Sequence, residues 1–554
     1  MMPISSMQRR GWWPAVMRTI VVLALLGGTG LLSARHVAAS SSHGAFINSG
    51  TVTVATPADP NDLDPAAGVS AAANVMIIRN MAETLVDYYK GVNISRFVPL
   101  LATSWHANKN KSVWTFNLRH GVRFHTGRCC MTAQDVRYSL ARTVKAGLAS
   151  SYILGRFFTN PFAQIKAVSK YTVQFDLGKP SAIFINAIAS KNVGQILDSQ
   201  ALKRHVTSSD PYAHNWITDH DAGTGPYRLV QWQRGQQVVM QRFPQYWGGW
   251  SGRHFSRVII RIVPEASTRA ELLTRGQADL GFNLTPQDDK AMRKNKAMRV
   301  LPINATLFTY IDMTEYGPLA SPAARQALSY AFNYKAMIDA AYGKGTRRSI
   351  GPIPSRVLGF NKKLKPYPTN ISKARSLLKK AGVGPGTTLT YTYLGAYPAY
   401  QTAGEILQAQ LAQLGITLKL QGLDQASFNT IFYGDTPPAQ RPNLMSYGWW
   451  PDYNDPYDAA SPLVASWEKG SAGANAGFYH NAEVDRLLKE MQYAPKKLLV
   501  KEAERLQVIT LKTDPPAIWM AEPAEVNYLR ANLHGFEYDP LDLETYFFYP
   551  MYRS

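Results

Sequence analysis

The chain has 554 residues, 60 of them Lys or Arg against 38 Asp or Glu, for a formal net charge of +22. With 45% hydrophobic and 11% aromatic residues it carries enough apolar material for roughly three or four packed domains, which excludes a disordered chain, a collagen-like fibre and a small disulfide scaffold. The positive excess comes from scarce carboxylates rather than from Lys/Arg runs, the densest sets being Lys362, Lys363 and Lys365, or Arg347 with Arg348, so it reads as diffuse surface charge and no nucleic-acid partner is expected.

Residues 1–39 read as an export signal. Arg9, Arg10 and Arg18 form a positive start, residues 19–32 are apolar, and Val37-Ala38-Ala39 offers small side chains for cleavage before Ser40. The apolar run is shorter than the ~20 residues of a membrane span. No cysteine follows it, so the expectation is a periplasmic protein that is not a lipoprotein. Removing the signal leaves +18, since it carries four arginines and no carboxylate.

Next, TVTVA (51–55) alternates as a strand does and leads into a turn-rich loop, DPNDLDP (59–65). Further alternating runs are 113–118, 171–177, 237–242 and 257–263. The only two cysteines, Cys129 and Cys130, are adjacent; they cannot staple distant segments, and free thiols, a bond between them or a modified pair all remain open. Thr132 with Asp135 forms a capping box before a helix. Ser321-Pro322 opens a helix carrying Leu328, Ala331, Phe332, Met337 and Ile338 as far as Gly343. Ser372 begins a short helix stopped by Gly382, and Thr402 with Glu405 reads as a second capping box before Leu407 and Leu411. A strand, TLKLQ (417–421), follows. Strands and helices alternate throughout, so the class is α/β with mixed sheets.

Motifs that announce an enzyme are missing: no GxxxxGK[ST], no HExxH and no GxSxG. Gly223 and Gly225 in DAGTGPY lack the third glycine of a dinucleotide loop and precede a strand-like run, which makes them a structural turn. The 11 histidines lack metal-ligand spacing, so neither a metal nor a cofactor is expected. The most distinctive cluster is YGWWPDYNDPYD (447–458), where aromatics flank Asp452, Asp455 and Asp458. It reads either as a cleft wall with an acidic anchor for a cationic group or as a turn whose aromatics fill core.

Several stretches in order resemble the family-5 extracellular solute-binding proteins of ABC importers, a group that includes dipeptide-, oligopeptide- and nickel-binding proteins. They are LLATSW (100–105), VWTFNLRHGVRFHTG, TAQDVRYSLART, GTGPYRLVQW (223–232), QYWGG (245–249), ARQALSYAFNYKAMI (324–338), KARSLLKKAG (373–382) and YDPLDLETY (538–546). The resemblance covers about Thr51 to Ser554 and implies a type II two-lobed clamshell with an additional inserted domain. Its expected boundaries are a first lobe from 40–88, 215–308 and 515–554, an inserted domain over 89–214 and a second lobe over 309–514. It further implies a monomer that holds ligand between lobes closing on a hinge and docks on an ABC permease in the inner membrane. No catalysis of its own is expected.

In the peptide-binding branch an aspartate three residues after a tryptophan holds the ligand's α-ammonium, and Trp449 with Asp452 matches that spacing. Trp450 and Tyr447 are expected beside it, and Asp455 is a turn residue before Pro456. The oligopeptide branch places an arginine where Ser446 stands, which puts peptide length preference in doubt. Asn304 to Tyr310 resembles the stretch where the family's chain passes between lobes and can pair with an extended ligand. The loop 61–64 resembles a cleft-lining region, and core or hinge packing is the alternative for both segments. The ligand is therefore expected to be a short peptide or another small amine-bearing molecule; the alternatives are a nickel chelate, haem or sugar conjugate, or a periplasmic ligand sensor. Scarce carboxylates suit a surface adapted to an acidic exterior.

Overall fold

The alternation at the start becomes β1 (Thr51–Thr56), with Val52 and Val54 fully buried and Thr51 and Thr53 on the more open face. The computed structural model describes residues 50–70, 72–89 and 93–554; the predicted export signal lies outside them. A hairpin follows, β2 (Val86–Tyr89) with β3 (Asn93–Pro99). β4 (Ala102–Ala107), β5 (Val113–Leu118), β6 (Ile165–Ser169) and β7 (Thr172–Asp176) then form an antiparallel sheet in the order β4-β5-β7-β6. The helix Ala133–Ala146 packs on that sheet, and its capping box forms as the sequence predicts.

The chain returns to β1 through β8 (Tyr227–Gln233), β9 (Gln237–Arg242), β10 (Arg257–Ile262), β11 (Leu280–Phe282) and β12 (Met298–Asn304). It then builds a five-stranded sheet from β13 (Phe308–Met313), β14 (Thr388–Leu394), β15 (Thr417–Leu423), β16 (Leu444–Trp449) and β17 (Ala517–Ala521), ordered β15-β14-β16-β13-β17. Finally β18 (Ala524–Arg530) completes a seven-stranded sheet, ordered β12-β18-β11-β1-β10-β9-β8. Both large sheets are mixed: β1 runs parallel to β10 and β11, whereas β18 is antiparallel to β11 and β12. The chain crosses between them twice in this region, between Asn304 and Phe308 and again between Ala521 and Ala524.

Two expected boundaries shift. β17 pairs with β13, so the chain leaves the five-stranded sheet after Ala521 and not at 514. The β2–β3 hairpin also straddles the expected break between 88 and 89. Two helix starts shift as well. Thr402 lies inside the helix Pro398–Ala412, because Pro398 at the first helical position opens it a full turn earlier; Glu405 accepts from Gln401 instead of closing a capping box. Asn370, not Ser372, caps the helix Ile371–Lys380. The segment after Pro322 is also broken: a helix ends at Ala331, Asn333 caps a second short one, and Gly343 stops the run at a positive φ.

The seven-stranded sheet has its own apolar core around Val52, Met76, Val258 and Leu529. The core of the five-stranded sheet runs without a break into that of the four-stranded sheet, from Phe116 and Phe184 to Tyr310 and Leu444. Gly223 and Gly225 sit against the chain at Asn80 to Ala82: Gly225 N donates to the Met81 carbonyl at 2.8 Å, and a Cβ on Gly223 would stand 2.0 Å from the same oxygen. The turn reading of DAGTGPY therefore has a steric cause.

Candidate functional site

β16 lies between β13 and β14 and buries Leu444, Met445 and Ser446. Pro451 lacks the N–H that would continue the ladder. Four residues on, Asp455 accepts from Tyr457 N at 3.0 Å and caps the helix Pro456–Val464, with Pro456 at its first position. The intervening turn holds Asp452, only 7% exposed. Its backbone N donates to Asp458 Oδ2 at 2.7 Å, and its carbonyl accepts from Ser190 Oγ at 2.9 Å. Its carboxylate accepts from the Tyr152 hydroxyl and from Asn192 Nδ2 at 3.3 Å. Tyr152, Ser190 and Asn192 come from the part of the chain that carries the four-stranded sheet, so Asp452 sits where that part meets the loop after β16.

One cation faces this turn. Arg156 donates to the Tyr453 hydroxyl, lies 3.9 Å from both Asp455 and Asp458, and stacks 3.9 Å over the Tyr457 ring. Three buried carboxylates against one guanidinium leave a negative excess. Burial accordingly pushes Asp452 and Asp455 up to about 6, against the pull of Arg156, and drives Asp458 well above the usual carboxylate range. A second acidic set lies alongside, in the C-terminal YDPLDLETY segment. Asp542 is 3.5 Å from Arg79, which also donates to Thr545 Oγ1 at 3.0 Å, and Lys191 pairs with Asp87 at 2.5 Å. The charge of Asp542 is among the influences that raise Asp452, which puts the two sets within electrostatic reach.

The structure brings three of the sequence-selected residues, Tyr310, Tyr447 and Trp449, to one sheet, with Trp450 and Asp452 in the turn after β16. Tyr310 and Tyr447 are direct partners across β13 and β16, and Trp449 opposes Phe308. Tyr310 is buried among Phe308 and Trp519, and Tyr447 packs on Phe428, Phe432 and Tyr433. Trp450 is 37% exposed. Asn304 is in the other sheet, at the end of β12 opposite Ala524, where the chain crosses over. Three of these residues carry a buried polar atom without a hydrogen-bond partner among the described residues: Trp449 Nε1, Tyr310 Oη and Asn304 Oδ1. Buried polar atoms are ordinarily paired, so such atoms are candidates for water or ligand contact. Ser446 is buried, its hydroxyl turned to the Tyr310 carbonyl at 3.4 Å.

The loop 61–64 takes the packing alternative. Asp64 is fully buried in a two-point pair with Arg142, at 2.7 and 2.6 Å, and accepts from His214 at 3.0 Å. Burial alone would raise its pKa, but the Arg142 charge and hydrogen bonds hold it at about 2. This ion pair joins the loop after β1 to the helix Ala133–Ala146. Cys129 and Cys130 are joined to each other, just before that helix.

Sequence reasoning missed Tyr152, Arg156, Ser190, Asn192, Arg79, Lys191, Asp539 and Asp542. YDPLDLETY was noticed only as a family match, and SYILGR (151–156) carries no local signal, because its role comes from contacts 297 and 300 residues away. Among the described residues no group of His, Cys, Asp and Glu could hold a metal ion, and no helix is long and apolar enough to cross a membrane.

Comparison with known proteins places this geometry in context. The profile of "Bacterial extracellular solute-binding proteins, family 5 Middle" matches residues 96–471. The probable D,D-dipeptide-binding periplasmic protein DdpA of Escherichia coli (strain K12) is 26% identical, over 88% of this chain and 92% of its own. The glutathione-binding protein GsiB of Pectobacterium atrosepticum is 28% identical, over 88% and 90%. Among solved structures, the periplasmic binding protein DppA of Helicobacter pylori in complex with the peptide STSA aligns with a TM-score of 0.77 at 24% identity, over 91% of this chain and 98% of that one. The dipeptide-binding protein of Pseudoalteromonas sp. SM9913 in complex with Met-Leu aligns with a TM-score of 0.76 at 19% identity, over 91% and 100%. The likeness establishes the fold: a type II periplasmic binding protein of mixed α/β sheets.

Proposed function

The chain belongs to the bacterial extracellular solute-binding proteins of family 5, and on that premise we propose that it captures a short peptide or similar small amine-bearing ligand between its lobes and delivers it to an ABC permease for import. The observation that carries the ligand class is Asp452, a buried carboxylate in a turn where carboxylates outnumber cations three to one. A negative site taken out of water favours a cation with N–H donors, and an α-ammonium supplies both charge and geometry. The relatives named for dipeptides and glutathione agree with a ligand of that size and chemistry.

In this reading Asp452 holds the ammonium while Trp449, Trp450 and Tyr447 wall the cleft. Tyr310 and Asn304 stand at the crossing between lobes and present the polar atoms that lack protein partners. Tyr152 and Asn192, from the part that carries the four-stranded sheet, donate to the same carboxylate that takes the ligand. The chain acts as a monomer outside the cytoplasm, exported by a signal cleaved near Ala39. Calorimetric titration of Ala-Ala tests the assignment: Asp452→Ala should weaken binding at least about 30-fold, because removing one partner of a buried charge pair costs 2 kcal/mol or more. Unchanged affinity would refute the role of Asp452.

A further inference from the structure

Half of the positive charge comes from one stretch of the chain. Residues 335–380 hold twelve Lys or Arg against a single carboxylate, Asp339, a net +11 of the chain's +22. The cations are spaced along the stretch, so no long run announces them. Lys335 pairs with Asp339, and Arg347 lies within electrostatic reach of Glu522. Among the described residues, the other cations of the stretch pair with no carboxylate. The helix Ile371–Lys380 buries Ala374 and Leu378 and packs along the helix Pro322–Ala331. Lys373, Arg375, Lys379 and Lys380 therefore stand exposed on its opposite half. Lys362, Lys363 and Lys365 are exposed on the segment that leads into that helix.

Between these two groups lies Tyr367, flanked by two further cations. Arg348 donates to its carbonyl at 2.8 Å, and Lys512, from just before β17, stands 4.6 Å from its ring centroid. Both cations are half-buried, and among the described residues neither pairs with a carboxylate. Burial and the charge of Arg348 hold the Lys512 ammonium below its usual range. Arg348 Nε and the Tyr367 hydroxyl are buried and have no hydrogen-bond partner among the described residues. Like charges held close beside donors left open are an arrangement that an anion relieves. The kind of anion follows from the cations. Eight of the twelve are lysines, which are depleted at protein–protein interfaces and act as flexible point charges without a fixed geometry to match. Tyr334 and Tyr367, the rings against Arg348 and Lys512, are buried and offer no face on which bases could stack. A phospholipid surface is a dense, mobile array of phosphates, and each basic residue held near it adds to the attraction.

We propose that this face, from Lys362 to Lys380 and centred on Arg348 and Lys512, docks on an anionic phospholipid surface. Sedimentation of the protein with lipid vesicles tests it, and with no peptide present the outcome is independent of the reading of Asp452. Binding to vesicles of phosphatidylglycerol and phosphatidylcholine in equal parts should be at least about tenfold tighter than to phosphatidylcholine alone. Lys373→Glu, Lys379→Glu and Lys380→Glu together should weaken that binding at least about tenfold. Lys362→Glu, Lys363→Glu and Lys365→Glu together should do the same, which covers the case in which the helix variant fails to fold. Lys290→Glu, Lys294→Glu and Lys296→Glu reverse as much exposed charge in and after the helix Pro286–Met292, away from this face, and should cost less than about threefold because salt screens distant charges. An equal loss in that third variant would make the attraction one of net charge alone and overturn the proposal. Binding no tighter with phosphatidylglycerol than without it would overturn it too, and leave an acidic protein surface as the partner of the face.

Discussion

If Asp452 is the ammonium anchor we propose, it exchanges one kind of partner for another. Its carboxylate accepts from the Tyr152 hydroxyl and the Asn192 amide, and burial holds its pKa at about 6. A carboxylate binds an ammonium only when ionised, so protons compete with ligand once the pH falls below that value. The dissociation constant for Ala-Ala should be lowest near pH 7, rise about twofold towards pH 8 as the α-ammonium loses its proton, and rise by up to about tenfold per pH unit below 6, the slope that one competing proton gives. Titration calorimetry across pH 5 to 8 checks this; a flat profile would mean that Asp452 does not carry the binding charge. Tyr152 acts through Asp452, since its hydroxyl is a donor to the ionised form. Tyr152→Phe should move the break in that profile upward, which a purely structural contact would not do.

At the scale of elements, the strands were the most legible part of the sequence. Where one face is buried, as in β1, β5 and β7, period-two alternation shows in the residues and the structure follows it. β17 was illegible in the respect that mattered. AIWMA is buried on both faces, so it has no alternation and nothing local to assign it to one sheet or the other. Only its pairing with β13 places it, which is why the chain leaves the five-stranded sheet after Ala521. The candidate site divides in the same way. Asp452 and the tryptophans announce themselves by type and spacing, whereas Arg156, Asn192 and Asp539 become neighbours only through tertiary contacts.

Two joints between elements invite direct tests. Arg142→Ala would leave Asp64 buried without its partner, at a cost of about 3–5 kcal/mol of stability; denaturant titration should show it as a lower midpoint. Gly225→Ala would place a Cβ 2.5 Å from the Asn80 carbonyl, against backbone that cannot move away. A loss of at least about 1–3 kcal/mol is expected there, measured in the same way.

For the whole molecule, the excess of +22 takes on a more specific meaning. The carboxylates are few, and many of those buried have pKa values raised by burial: Glu83, Asp312, Glu468 and Glu525 to about 7, Asp452 and Asp455 to about 6. Each binds a proton more readily in the folded state than in the unfolded chain. Between pH 7 and about 4.5 the folded state therefore takes up more protons, and stability rises as the pH falls. Asp64 has the opposite sign, but with a pKa of about 2 its contribution is lost only far below that window. The melting temperature should be higher at pH 5 than at pH 7.5, and unfolding should begin only in strong acid. A melting temperature that drops steadily from pH 7.5 to 5 would contradict this account of the charge.

If this family-5 binding protein holds its ligand's free ammonium at Asp452, removing that ammonium must cost most of the affinity. The most direct measurement compares Ala-Ala with N-acetyl-Ala-Ala by calorimetry at pH 7.5, since acetylation removes that one charge and leaves the rest of the peptide intact. The account predicts binding of the free dipeptide and loss of at least about 30-fold in affinity on acetylation. Equal affinity for the two would contradict it.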